Sequence, residues 1–415
     1  MLGASRTLVF LVPLIATPIF SRIFDARTFG AWTILGSLIT LLSAQDFGIC
    51  SALRVHLAEL QVAGDQDAAR NEFHSVFAVI LVTAVVLSAL LLALHPNVSF
   101  LGVPMRFRTA TYAAIIIGLV SVSAAVPFQA LYAYLDAHLV AASDVVRALL
   151  QIVAALVIYA TTRNILLCLV VFYAPTVGYI YLSYELLRRR RSWRNPYKNG
   201  VHTWWVGARR MRRLAVDGIP FLALSVLNLA LGPLDLLLAG RYLGLVEAGS
   251  LGLVMKLVNV GYAFLGAISW GYVGAYGMEF MNQNYAWIRK TIAVQIAAMV
   301  VLGIVATVAL VLFGESVVHL WSGRVVAERG LYLLAGIVFL SGGINRLLLS
   351  VIQGVGRVGS IIVPLTVCAL AKIWIAVSLI PNFRADGILL ATTITNLMVA
   401  AVAFVQLRRL LVQKS

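Results

Sequence analysis

Charged side chains inside apolar stretches are the residues of this chain best placed to do chemistry. The second half carries four of them, Asp235, Lys256, Arg346 and Lys372, each within a hydrophobic run long enough to cross a bilayer. A charge at that depth costs at least about 2.5–3.5 kcal/mol on insertion scales, so such residues face a bundle interior or a watery cavity. Lys256 and Lys372 fall near the middle of their runs, Arg346 lies within its own, and Asp235 sits toward the outer part. Asp235 could neutralise Lys256 in a structural pair, and Arg346 could snorkel toward the cytoplasmic surface. Lys372 has no obvious local partner and is the strongest candidate to line a cavity. The four sum to +2, a balance suited to an anionic ligand.

Closer to the expected cytoplasmic face, Arg54 and Arg147 lie near Asp46 and Asp144. They read as topology anchors or as partners of those carboxylates; a second reading puts them at a cytoplasmic mouth contacting phosphate. Arg22 and Arg241 occupy matching external turns, where a structural or gating role is expected. Trp32, Trp204, Trp205 and Trp321 stand near span ends and are expected to anchor at the membrane interface.

The chemistry of soluble enzymes is missing. No GxxxxGK[ST] phosphate loop or HExxH motif occurs, and the six histidines are scattered. No external turn exceeds about 17 residues, which leaves no room for an extracytoplasmic catalytic domain. Enzymatic activity and a metal or organic cofactor are therefore not expected. Cys50, Cys168 and Cys368 stand singly in apolar segments and read as packing residues.

The elements that must position these residues are membrane helices. Of 415 residues, 61% are hydrophobic and only 12% charged, against about 25% charged in a soluble domain; mean hydropathy is +0.96. The net charge of +16 sits mostly in loops, so it signals orientation and not nucleic-acid binding. The stretch Arg188–Arg213 divides the chain, and each flank has room for about six spans of ~20 residues. Residues 1–187 are expected to form one six-helix bundle, 188–213 a basic cytoplasmic linker, and 214–415 a second bundle. Twelve spans with both termini cytoplasmic put about 19 Lys or Arg inside and about 9 outside. The first span follows only Arg6 and reads as retained, kinked by Pro13 and Pro18. A short surface helix is expected over 54–73.

The halves resemble each other. SRIFDARTFGAW at Ser21–Trp32 aligns with GRYLGLVEAGSL at Gly240–Leu251, matching Arg22 to Arg241 and Gly30 to Gly249. An even span count per half means parallel repeats about an axis along the membrane normal. The repeat counterparts of the four interior charges are Ala16, Ser37, Phe128 and Ala154, none of them charged. The fold repeats and the charges do not, which points to function.

RIFDARTFGAW at Arg22–Trp32, DFGICSALR at Asp46–Arg54 and QGVGRVGS at Gln353–Ser360 resemble the polysaccharide transporters. These are the O-antigen and exopolysaccharide flippases of the multidrug/oligosaccharidyl-lipid/polysaccharide export superfamily. The resemblance implies an all-α polytopic fold of two six-helix bundles in a V around a cationic cavity, in the bacterial inner membrane. It implies a monomer that flips undecaprenyl-pyrophosphate-linked oligosaccharide by alternating access, coupled to protons or sodium. A polysaccharide polymerase and a chain-length regulator would be its partners, besides membrane lipids. A drug or metabolite cation antiporter of the same fold is the alternative. It would need acidic cavity residues, which the first half's span centres almost lack.

Overall fold

The computed structural model describes residues 2–43, 48–94, 102–134, 137–190, 214, 216–219, 222, 227, 229–326 and 329–412. These residues are almost wholly helical, and no strand occurs among them. The chain is an all-α polytopic membrane protein. The basic linker beyond Arg190, with Trp204 and Trp205, lies outside the described residues, as does Asp46.

The first half supplies α1 (Leu2–Ile23), α2 (Ala26–Ser43), α3 (Ile49–Val62), α4 (Gln66–Leu94), α5 (Arg108–Val122), α6 (Ala125–Ala133), α7 (Ala137–Thr161) and α8 (Ile165–Arg190). The second half supplies α9 (Pro233–Tyr242), α10 (Leu245–Met281), α11 (Tyr285–Ser322), α12 (Arg329–Gly354) and α13 (Ile362–Val412).

One expectation needs correction. The surface helix expected over 54–73 is two pieces: α3 ends at Val62, Gly64 turns the chain at φ 75°, and α4 already begins at Gln66. A positive φ is where glycine has no steric cost. The single apolar run over Met105–Ala133 turns at Ser123 into α5 and α6. The amides of Ser123 and Ala124 bond back only three residues, to Val120 and Ser121. Pro127, with no N–H to give, follows in the first turn of α6, where its loss is harmless.

α13 is long because it contains two spans. Its helix runs 51 residues, about 75 Å if straight, more than twice a hydrocarbon core. At Arg384 the backbone leaves the helix at φ 51° and ψ −128°, three residues after Pro381. The two arms, 362–383 and 385–412, fold back so closely that a Cβ on Gly387 would meet the Leu379 carbonyl at 2.8 Å.

By its contacts the described chain forms two compact units. One holds residues 1–12 and 35–225. Its core joins α3, α4, α6 and α8 through Leu53, Leu57, Phe73, Val76, Val126, Leu131 and Leu187. The other holds 13–34 and 226–415, so the second half of α1 and the first half of α2 pack with second-half helices. α12 runs through the middle of this unit, burying Leu331, Tyr332, Ala335, Val338 and Val351. α11 does the reverse: Val301, Leu302, Ile304, Val305, Val308, Leu312 and Phe313 are all exposed. A helix so apolar on its outer surface belongs in hydrocarbon. The cysteines are free and buried, as expected.

Candidate functional site

The interior of the second unit is a polar track built by four helices. Asp235 comes from the first turn of α9, Tyr262 from α10, Ser341, Asn345 and Arg346 from α12, and Lys372, Thr392 and Asn396 from the two arms of α13. Thr392 and Asn396 are one turn apart and so share a face. From that face Thr392 donates to Asp235 Oδ2 at 2.9 Å, while Asn396 accepts from Asn345 Nδ2 at 3.2 Å. Asn396 Nδ2 lies 3.4 Å from Ser341 Oγ, and the Tyr262 hydroxyl donates to the Val338 carbonyl.

Asp235 and Lys372 are both fully buried, and Lys372 Nζ lies 2.6 Å from Asp235 Oδ1. The ammonium also donates to the Ala230 carbonyl. Lys372 thus has no local partner but a distant one, and Asp235 pairs with it and not with Lys256. The carboxylate sits 137 residues from Lys372 in sequence, which is why local inspection could not pair them. The closed pair leaves neither side chain any exposure to solvent.

Lys256 and Arg346 stand differently. Lys256 is half-buried; its Nζ donates to Thr17 Oγ1 at 2.8 Å and lies 5.7 Å from the Phe29 ring. Arg346 remains exposed, its guanidinium 4.2 Å from the centre of the Tyr262 ring. Among the described residues neither is within ion-pair distance of a carboxylate. An accessible arginine at span depth, resting on an aromatic face, keeps its donors free for an anion.

In the first unit, Arg147 pairs with Asp144 at 3.1 Å and lies over Tyr179, which also donates to Asp144 at 2.7 Å. Arg54 takes no carboxylate among the described residues. It lines a cavity of about 660 Å³ with Val55, Ala58, Glu59, Val62, Tyr132 and Ala133. Burial pulls its guanidinium below the usual arginine range, with Tyr132 opposing.

Arg22 and Arg241 are exposed. Arg22 donates to the Leu320 carbonyl at 3.2 Å. The stronger clasp is one the sequence did not single out. Arg324 donates to the Ser21 carbonyl at 2.8 and 3.1 Å and to the Phe24 carbonyl at 2.6 Å, just past the end of α1. Those carbonyls are orphans of the helix C-terminus, where a cation is favoured. Trp321 donates to the Leu14 carbonyl at 2.8 Å and Ser21 to the Ser322 carbonyl at 2.6 Å. Trp32 is no interface anchor: it is 6% exposed and packs on Phe20 at 4.1 Å.

Beside this clasp α2 crosses α10 at van der Waals contact. A Cβ on Gly249 would stand 3.3 Å from the Gly30 Cα, and one on Gly252 would strike Thr33. Gly30 and Gly249 are the pair that the repeat alignment matches.

The comparisons follow from this architecture. No family model matches the chain and no curated protein matches it. Solved structures do. One, described as the inward-facing conformation of a multidrug resistance MATE family transporter of the MOP superfamily, is similar with a TM-score of 0.79 at 13% identity. It covers 99% of this chain and 98% of its own. The fold is that of the MATE transporters. A MOP superfamily transporter from Pyrococcus furiosus, described as having a binding pocket of reversed polarity, is similar with a TM-score of 0.69 at 14% identity, over 100% and 95% of the two chains. A mutant of the Vibrio cholerae MATE transporter VcmN is similar with a TM-score of 0.68 at 12% identity, over 98% and 95%.

Sequence reasoning found the interior charges but missed Tyr262, Thr392, Asn345, Asn396 and Arg324. Neutral polar residues in apolar runs were signal enough for the first four. Arg324 follows its helix and looked like one more loop cation.

Proposed function

We propose that the chain is a flippase carrying an undecaprenyl-pyrophosphate-linked oligosaccharide across the bacterial inner membrane by alternating access. One observation carries this reading: among the described residues Lys256 and Arg346 keep unbalanced positive charge at span depth, while the interior carboxylate Asp235 is consumed by Lys372. A pyrophosphate headgroup matches guanidinium and ammonium donors. A MATE-type neighbour described by its reversed pocket polarity is in keeping with an altered charge preference on this fold. Arg54, in its open cavity on the first unit, is suited to meet the headgroup at the cytoplasmic entrance. The two bundles, 1–187 and 214–415, would exchange accessibility through the linker, with an ion gradient as the drive.

The multidrug description of the 0.79 neighbour supports a second reading, an antiporter for cationic drugs or metabolites. The two separate in proteoliposomes holding the purified protein. Fluorescent undecaprenyl-pyrophosphate glycan should move between leaflets, and Lys256→Gln with Arg346→Gln should slow it at least tenfold with unchanged protein level. Ethidium transport without glycan movement would establish the antiporter instead.

A further inference from the structure

A second cationic site lies apart from the polar track, at the end of the second unit where α11 begins and α13 finishes. There Arg289 and Arg408 line one cavity of about 270 Å³. The rest of its wall is hydrocarbon: Ile292, Ala293 and Ile296 on α11, Leu348 on α12, and Phe404, Leu407 and Leu411 on α13. Ile292, Leu348, Leu407 and Leu411 are buried and form its floor, while both arginines and Phe404 are exposed at the rim. Among the described residues neither arginine pairs with a carboxylate.

The chemistry of the rim and that of the floor differ, and one molecule class has both. Two guanidiniums one above the hydrocarbon edge favour a phosphodiester; a narrow apolar slot between helices favours an acyl chain. Lys290 and Arg409 adjoin the two arginines in sequence, so this end of the unit is the basic one. The positive-inside rule places it in the cytoplasmic leaflet, where anionic lipid is available. We infer that this slot holds one anionic phospholipid, its phosphate between Arg289 and Arg408 and one chain against Ile292, Leu348 and Leu407. The lipid would be a resident of the bundle surface, distinct from the transported cargo.

Native mass spectrometry of the purified full-length protein tests this with phosphatidylglycerol, phosphatidylcholine and inorganic phosphate as probes. Phosphatidylglycerol should be retained under activation that strips phosphatidylcholine. Arg289→Gln with Arg408→Gln should lower its retention roughly thirtyfold, at about one lipid-facing cation's worth per arginine. Ala293→Trp, which fills the slot and leaves both arginines, should lower it as well. Inorganic phosphate at millimolar concentration should not displace the lipid. Equal retention of the two lipids, no loss in the double glutamine variant, no loss in Ala293→Trp, or full displacement by phosphate would each overturn the inference. None of these outcomes depends on what the protein transports.

Discussion

Lys372 and Asp235 hold opposite charges where water does not reach, so removing either strands the other. Lys372→Ala should destabilise the folded protein by about 3–5 kcal/mol, seen as a large fall in the melting temperature of the detergent-solubilised protein. Lys372→Met with Asp235→Leu should recover most of that loss, because the uncompensated charge disappears. Arg346→Gln should leave the melting temperature nearly unchanged, since its guanidinium rests on a ring and neutralises nothing. A large destabilisation there, or none in Lys372→Ala, would contradict this division of roles. The positions of these charges were legible in the sequence because a lysine in an apolar run cannot be ignored energetically. Their pairing was not. Asp235 and Lys372 meet only after α9 and the first arm of α13 come together, and hydropathy carries no record of that contact. Sequence alone therefore ranked Lys372 above Arg346; in the structure Lys372 is paired, and Arg346 meets no carboxylate among the described residues.

At the scale of elements, the crossing of α2 and α10 depends on the absence of side chains. Gly252→Leu should force Thr33 away and cost about 1–3 kcal/mol by overpacking, and Gly30, whose Cβ would overlap the Leu245 carbonyl, should tolerate no larger residue. Arg324→Gln should release the end of α1 at about 2 kcal/mol, because the Ser21 and Phe24 carbonyls lose a charged donor. Proteolysis or cysteine labelling within residues 21–24 would report the opening; unchanged accessibility would show that Ser21 and Trp321 suffice. Most helices were readable from apolar length. The break between α5 and α6 was not. A single proline and two serines in a long apolar run do not reveal that the chain drops from four-residue to three-residue bonding at Ser123.

For the whole molecule, orientation is the property that the charge distribution controls most directly. The three native cysteines are buried, so a cysteine introduced at an exposed site can be read against a low background. An impermeant thiol reagent applied to intact cells should label Val325→Cys and spare Asp65→Cys; the reverse pattern would invert the topology. The division of the described chain into two units has a consequence for how the protein is made. Residues 13–34 pack with a unit whose other members are synthesised only from residue 226 onward; Ser21 bonds to Ser322, 301 positions later. Throughout that interval Ser21 and Gly30 lack the contacts they later make with Ser322 and Leu245. The nascent first hairpin must wait in the lipid or be held by the insertion machinery, which exposes it to premature association with other chains. Assembly of this chain closes residues 13–34 against helices made much later, so a chain cut after residue 225 should leave the hairpin of α1 and α2 undocked, however well the intervening helices have folded.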